Sequence, residues 1–211
     1  AQSINNGQSG FLAHNNSSLI THYYDDESQQ ALARNNGNAA FDTYMAGVID
    51  AGKATVDNPL HKPFAQGFNA NTGSLIQAGG SSVDGVTENA YNAYLGSTIQ
   101  ADDSTVTNIT NGGGYNAHNG SLITAFRSEV NVTSRAGYAA SNLSAIFAAD
   151  ATATATDEGF TAHHGSYMEV TNATSNDARL VACSTNDGAT MDATGATANN
   201  GQNICFNSQF G

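Results

Sequence analysis

Charge is scarce in this chain, and tryptophan is absent. Charged side chains make up 11% of the 211 residues, whereas a typical globular domain carries about 25%. Only six residues are Lys or Arg against 18 Asp and Glu, which gives a formal net charge of -12 at pH 7. A phosphate-binding surface needs clustered Lys and Arg, and these six are scattered along the chain. The composition therefore argues against a nucleic-acid partner.

Long hydrophobic runs, proline and cysteine are also rare. No apolar run approaches the roughly 18 residues that span a bilayer, so we expect no membrane insertion. Chains rich in Ala, Asn, Thr, Ser and Gly are often disordered, but here the 39% of hydrophobic residues recur at fixed spacing. This regularity predicts a folded repeat. The chain begins at Ala1 without an initiator Met, which fits either a chain cleaved from a precursor or a fragment of a longer chain.

Three stretches of twelve residues show the repeat most clearly. Residues 67–78 read GFNANTGSLIQA, residues 114–125 read GYNAHNGSLITA, and residues 159–170 read GFTAHHGSYMEV. The first Gly, the Ala, the second Gly and the Ser are identical in all three. Such self-similarity at a fixed period is typical of solenoid proteins.

Extending the register along the chain gives columns of equivalent residues. The steps between aromatic positions are 22 to 27 residues, after a first step of 30. The aromatic column is Phe11, Phe41, Phe68, Tyr91, Tyr115, Tyr138, Phe160, Cys183 and Phe206. A second column is Ile49, Ile76, Ile99, Ile123, Ile146, Met168 and Met191. A third is Val56, Val83, Val106, Val130, Ala153, Ser175 and Ala198, which loses its apolar character toward the C-terminus.

Within each repeat, apolar and polar residues alternate with a period of two, which indicates strands. Glycine and polar residues separate them at corners. We predict an all-β, right-handed, single-stranded parallel β-helix of about nine rungs of about 23 residues, because each rung can bury its apolar face only against its neighbours. One domain, 1–211, is expected. Its N-terminal rungs, 1–66, are irregular, with loop insertions at 23–38 and 56–66, and rungs 67–211 are regular.

The rung pattern G-[FY]-x-A-x-x-G-S-x-I-x-A resembles the β-helical rungs of bacteriophage tail fibres and tailspikes, over nearly the whole chain. The resemblance implies an extracellular homotrimer on a virion, joined to other virion proteins and binding a bacterial surface glycan. Some such proteins also cleave the polysaccharide. The chain stops five residues after Phe206, inside a rung. Because a solenoid needs end caps, we expect either a longer fibre or a partner that covers this end.

The residues three positions after the aromatic column include side chains suited to sugar binding. Aromatic rings stack on sugars, and amides and imidazoles form hydrogen bonds with them. The predicted glycan-binding stripe is His14, Tyr44, Asn71, Tyr94, His118 and His163. Solvated residues at the edge of a turn are the alternative interpretation.

A catalytic site is not predicted, although one acid pair has suitable spacing. Glycoside hydrolysis needs two carboxylates about 5 to 9.5 Å apart, and Glu169 and Asp192 occupy one outward column in neighbouring rungs. His118 and His163 are two rungs, about 10 Å, apart, too far to share a zinc ion. No metal site is expected. Without a phosphate or dinucleotide fingerprint, we also expect no cofactor.

Cys183 and Cys205 lie in neighbouring rungs and could form a disulfide, or both could be buried thiols.

Three functions stay open: a glycan-binding fibre segment, a polysaccharide depolymerase, and a secreted ice-binding or adhesive solenoid. The last is suggested by a hydroxyl column that Glu129 interrupts. It contains Thr55, Ser82, Thr105, Thr152, Thr174 and Thr197.

Overall fold

A computed structural model describes residues 1–21, 30–58, 65–201 and 204–208, with backbone alone for Val132 and for 204–208. These residues form 26 short strands and no helix. None of the described segments is a helix long and apolar enough to cross a membrane. The strands belong to three parallel sheets, which we name after the residues on their inner faces.

The valine sheet has nine strands and carries Val56, Val83, Val106 and Val130 on its inner face. Its strands are β1 (Gln2–Ile4), β4 (Leu32–Arg34), β7 (Thr55–Asp57), β10 (Ser82–Asp84), β13 (Thr105–Ile109), β16 (Glu129–Thr133), β19 (Thr152–Thr154), β22 (Thr174–Asn176) and β25 (Thr197–Asn199).

The aromatic sheet also has nine strands and carries the aromatic column. Its strands are β2 (Phe11–His14), β5 (Ala39–Tyr44), β8 (Gln66–Asn71), β11 (Tyr91–Tyr94), β14 (Tyr115–His118), β17 (Ala136–Ser141), β20 (Glu158–Ala162), β23 (Val181–Thr185) and β26 (Ile204–Ser208).

The isoleucine sheet has eight strands and carries the Ile and Met column. Its strands are β3 (Ser18–Ile20), β6 (Val48–Asp50), β9 (Leu75–Gln77), β12 (Thr98–Gln100), β15 (Leu122–Thr124), β18 (Ala145–Phe147), β21 (Tyr167–Glu169) and β24 (Thr190–Asp192).

Every strand pairs in parallel with its equivalent in the next turn, so Tyr91 lies opposite Phe68 on one side and Tyr115 on the other. The predicted parallel β-solenoid is confirmed. About seven turns keep the period of about 23 residues, slightly fewer than the nine rungs expected, because the first turns are longer. Strand β4 lies inside the predicted insertion 23–38, while residues 22–29 and 59–64 lie outside the described part.

Seven aromatic rings form a continuous stack inside the solenoid. Their centroids are 4.6 to 5.0 Å apart and their planes differ by 1 to 14°. This spacing follows from the roughly 4.8 Å between paired strands. The stack runs through Phe11, Phe41, Phe68, Tyr91, Tyr115, Tyr138 and Phe160.

Each buried tyrosine of the stack has a serine partner at the corner before the valine sheet. The hydroxyl of Tyr115 is 2.7 Å from the Ser104 hydroxyl, which itself donates to the Ala101 carbonyl. Tyr91 pairs with Ser81 and Tyr138 with Ser128 in the same way, both at 2.8 Å. Where the ring is phenylalanine, the equivalent corner residue is alanine, because no hydroxyl then needs a partner. These alanines are Ala31 for Phe41, Ala54 for Phe68 and Ala151 for Phe160.

We expect Ser104→Ala to lower the free energy of unfolding by about 1–3 kcal/mol, because the buried Tyr115 hydroxyl loses its partner. The double variant Ser104→Ala/Tyr115→Phe recreates the pair found at Phe160 and Ala151. It should therefore be less destabilised than the sum of the two single variants. Urea unfolding of all four proteins measures this coupling. Strict additivity would contradict the pairing.

A second set of buried serines explains the Gly-Ser element of the repeat. From Ser97 onward, each serine hydroxyl accepts the backbone N–H of the equivalent serine in the preceding rung, always at 3.2 Å. The hydroxyls of Ser74 and Ser97 also donate to a carbonyl of their own corner. The column satisfies backbone groups that the corner would otherwise bury without a partner. It consists of Ser74, Ser97, Ser121, Ser144 and Ser166.

The same corner requires a left-handed backbone, and Leu143 adopts it without being glycine. Its φ is +61°, where equivalent glycines have φ of 68 to 74°, and its side chain is 77% exposed. The equivalent glycines are Gly73, Gly96, Gly120, Gly165 and Gly188.

We expect Leu143→Gly to raise the free energy of unfolding by roughly 0.5–1 kcal/mol, because relief of left-handed strain exceeds the added entropy of the unfolded chain. Thermal unfolding measures the gain. The reverse change Gly120→Leu, at the equivalent position one turn earlier, should destabilise the protein. A loss of stability in Leu143→Gly would show that the exposed leucine has a packing role.

Candidate functional site

A groove of about 940 Å³ runs along the outer face of the aromatic sheet. Its floor is formed by outward-facing residues of successive strands: Asn116, Ala139 and Thr161 lie in register. Ala139 is the smallest of the three, so the floor is deepest at its centre.

The groove wall is built by the corners that lead from the valine sheet into the aromatic sheet. Five successive corners contribute, and four steps of about 4.8 Å make the groove roughly 19 Å long. The wall residues include Thr87, Glu88, Asn89, Thr110, Asn111, Arg135, Asp157, Glu158 and Leu180. Because the corner precedes each floor residue in the chain, the wall lies at the N-terminal ends of the strands.

Ion pairs and hydrogen bonds hold this wall in place. Arg179 Nε lies 2.8 Å from Asp157 Oδ1, and its Nη2 donates to the Thr133 carbonyl at 2.6 Å. The Gln66 side-chain amide donates to Glu88 Oε2 at 2.8 Å. These contacts link neighbouring turns and pre-organise the groove.

Two imidazoles lie at the C-terminal ends of the groove strands. His118 is half-buried, which lowers its pKa, and its Nδ1 is bonded to the Ser141 hydroxyl. His163 accepts the Asn186 amide at Nδ1 over 3.1 Å, which leaves the proton on Nε2. That Nε2 is 2.6 Å from the Thr161 hydroxyl on the groove floor. Both rings are therefore fixed in orientation.

The structure brings part of the predicted glycan-binding stripe together. His118 and His163 line the groove, whereas His14 and Tyr44 line a smaller pocket of about 340 Å³ on the same sheet. Asn71 and Tyr94 line neither, although the Tyr94 ring lies edge-on to His118, with 6.3 Å between the ring centroids.

The wall carboxylates were missed by sequence reasoning. Glu88, Arg135 and Asp157 each lie three residues before a residue of the aromatic column, and this recurrence was the available signal.

Glu169 and Asp192 are neighbours in register, as the repeat spacing predicts, but they lie on the isoleucine sheet rather than in the groove. The hydroxyl and backbone N–H of Thr194 donate to Asp192 and lower the pKa of its carboxyl. A general acid needs a raised pKa. Asp192 is therefore suited to act as a base and not as the acid of a glycosidase.

The hydroxyl column on the outer valine sheet is in register from Thr55 to Thr197, with Glu129 interrupting it.

Cys183 is a free thiol among the described residues, and burial raises its pKa to about 12. Its backbone lies opposite Phe206. The side chain of Cys205 lies outside the described part, so the disulfide stays a prediction.

Within the described ranges, no group of three or more His, Cys, Asp or Glu residues could hold a metal ion. The groove instead offers carboxylates, amides, hydroxyls and imidazoles along a rigid sheet, a set that can form many hydrogen bonds with a polar ligand. Comparison with protein-family models, with curated proteins and with solved structures finds no match.

Proposed function

We propose that this chain is a structural and receptor-binding segment of a bacteriophage tail fibre or tailspike, and that its groove binds host surface polysaccharide. The observation that carries the proposal is the 940 Å³ groove, lined by polar side chains on a sheet whose turns are locked in register. Sites on strands hold their side chains more accurately than sites on loops.

The repeat itself suits a polymeric ligand. Equivalent positions recur at about 4.8 Å along the groove, so an extended polymer can contact residues of several turns at once. The floor residues Asn116 and Thr161 occupy equivalent positions two turns, about 10 Å, apart. The imidazoles His118 and His163 also line the groove. A long, open groove with several equivalent contacts therefore favours a polysaccharide over a small compact metabolite.

The family resemblance of the rungs supports the remaining parts of the proposal. We infer a homotrimer that lies outside the cell on a virion and contacts other virion proteins. Size-exclusion chromatography with light scattering measures the oligomeric state. A strict monomer that binds no bacterial surface would overturn the proposal.

The direct test is binding of fluorescently labelled protein to a panel of bacteria. Each strain is compared before and after periodate oxidation of its surface carbohydrate. We expect binding to a subset of strains and its loss after oxidation. Binding that survives oxidation in every strain would point to a protein receptor.

A depolymerase is the second candidate, favoured by the adjacency of Glu169 and Asp192. Incubation with capsule or O-antigen distinguishes it from a binding protein, because cleavage lowers viscosity. We expect no cleavage. Cleavage that is lost in Glu169→Gln would establish the enzyme, whereas cleavage that persists would remove this pair from the mechanism.

An ice-binding or adhesive solenoid is the third candidate, favoured by the in-register hydroxyl column of the valine sheet. The neighbouring outward column carries Arg34, Asp57 and Asp84, which makes this face charged as well as hydroxylated. A thermal-hysteresis assay tests the idea. We expect no hysteresis.

A further inference from the structure

The side chains that line the groove carry more negative than positive charge. Among the lining residues, Glu88, Asp157 and Glu158 supply three carboxylates, while Arg135 supplies the guanidinium. Arg179, next to the wall, is paired with Asp157. The whole chain carries a net charge of -12, which adds a repulsive field for any anion that approaches.

The carboxylates of the groove wall offer hydrogen-bond acceptors to a ligand. Ionised carboxylates only accept hydrogen bonds. The Asn116 side-chain oxygen on the floor is buried and has no hydrogen-bond partner among the described residues. A complementary ligand must therefore bring donors.

Hydroxyl groups of uncharged sugars meet this requirement, and acidic sugars do not. Uronic, sialic or phosphorylated units bring anionic acceptors, which usually bind Arg or Lys side chains. Arg135 supplies one guanidinium to the lining and Asp157 is paired with Arg179, so the carboxylates of Glu88 and Glu158 leave an excess of negative charge that such units would meet.

We propose that the groove selects uncharged, hydroxyl-rich polysaccharides and excludes acidic ones. This inference rests on the proposed glycan-binding function and names its ligand class. It assigns Glu88 and Glu158 as residues that determine specificity.

The test is an array of purified bacterial O-antigens and capsular polysaccharides, grouped into uncharged and acidic members. We expect wild-type protein to bind uncharged members. Glu158→Lys replaces a wall carboxylate with a cation, and it should increase binding to acidic members by about tenfold or more. Glu129→Lys is the matched control, because it makes the same charge change on the outer valine sheet and should leave the array profile unchanged.

The outcomes separate this inference from the function on which it rests. Wild-type binding confined to acidic polysaccharides would overturn the inference and keep the glycan-binding function. Equal gains in Glu158→Lys and Glu129→Lys would overturn the role of the groove in selection. Binding to intact bacteria without binding to any member of the array would also overturn the inference. Binding to neither would overturn the proposed function itself.

Discussion

Tyr115→Ala is expected to lower the free energy of unfolding by about 3–5 kcal/mol, the usual cost of removing a buried aromatic ring. Tyr115 is fully buried, with ring centroids 4.6 Å from Tyr91 and 4.8 Å from Tyr138. The substitution leaves a gap in the middle of the stack. Because a solenoid is stabilised by contacts between neighbouring turns, the loss should reach the turns on both sides. Urea unfolding monitored by circular dichroism measures it.

Tyr94→Ala is the control for this prediction. Tyr94 lies on the same sheet, one turn earlier, and is 36% exposed. We expect this variant to lose less than about 1 kcal/mol, because little buried area is removed. Equal destabilisation by the two variants would contradict a continuous internal stack.

Alkaline pH is expected to unfold the protein through its buried tyrosines. Burial raises the pKa of Tyr91 to about 12 and also raises the pKa of Tyr115 and Tyr138 well above the ordinary value, since the phenolate would be desolvated. In the unfolded chain these groups ionise near pH 10. The stability that Tyr91 contributes is therefore fully present below pH 10 and is lost as pH rises through about 12. For Tyr91 alone, two pKa units correspond to roughly 3 kcal/mol.

Phenolate absorbance and circular dichroism followed together measure this effect. We expect a fraction of the eight tyrosines to ionise only when the strand signal disappears. In the double variant Ser104→Ala/Tyr115→Phe, the step coupled to unfolding should shrink, because one buried phenol is gone. Reversible ionisation of all tyrosines near pH 10 with the fold intact would contradict their burial.

The columns of the solenoid could be predicted from the sequence because a repeated side-chain pattern leaves one arrangement that buries every apolar position. Phe68, Ile76 and Val83 each lie where the register placed them. The pairing of Tyr115 with Ser104 was also readable, since tyrosine and serine alternate with phenylalanine and alanine in matched rungs.

The groove wall could not be predicted in the same way. Glu88, Arg135 and Asp157 each lie three residues before the aromatic column, but this position belongs to the corner, where the alternation of the strand does not apply. Whether such residues extend over the outer face or away from it depends on the path of each corner and on contacts such as that between Arg179 and Asp157. Alternation along a strand specifies its two faces, but it does not specify what overhangs them.

The most direct test of a glycan-binding groove on the aromatic sheet compares two identical substitutions. Ala139→Trp fills the centre of the groove floor, whereas Ala145→Trp adds the same side chain to the outer face of the isoleucine sheet. Circular dichroism first verifies that both variants are folded. The affinity of each variant is then measured for a bacterial strain that binds wild-type protein. We predict at least about tenfold weaker binding for Ala139→Trp and a change within about twofold for Ala145→Trp. Undiminished binding by Ala139→Trp would show that the groove is not the binding surface.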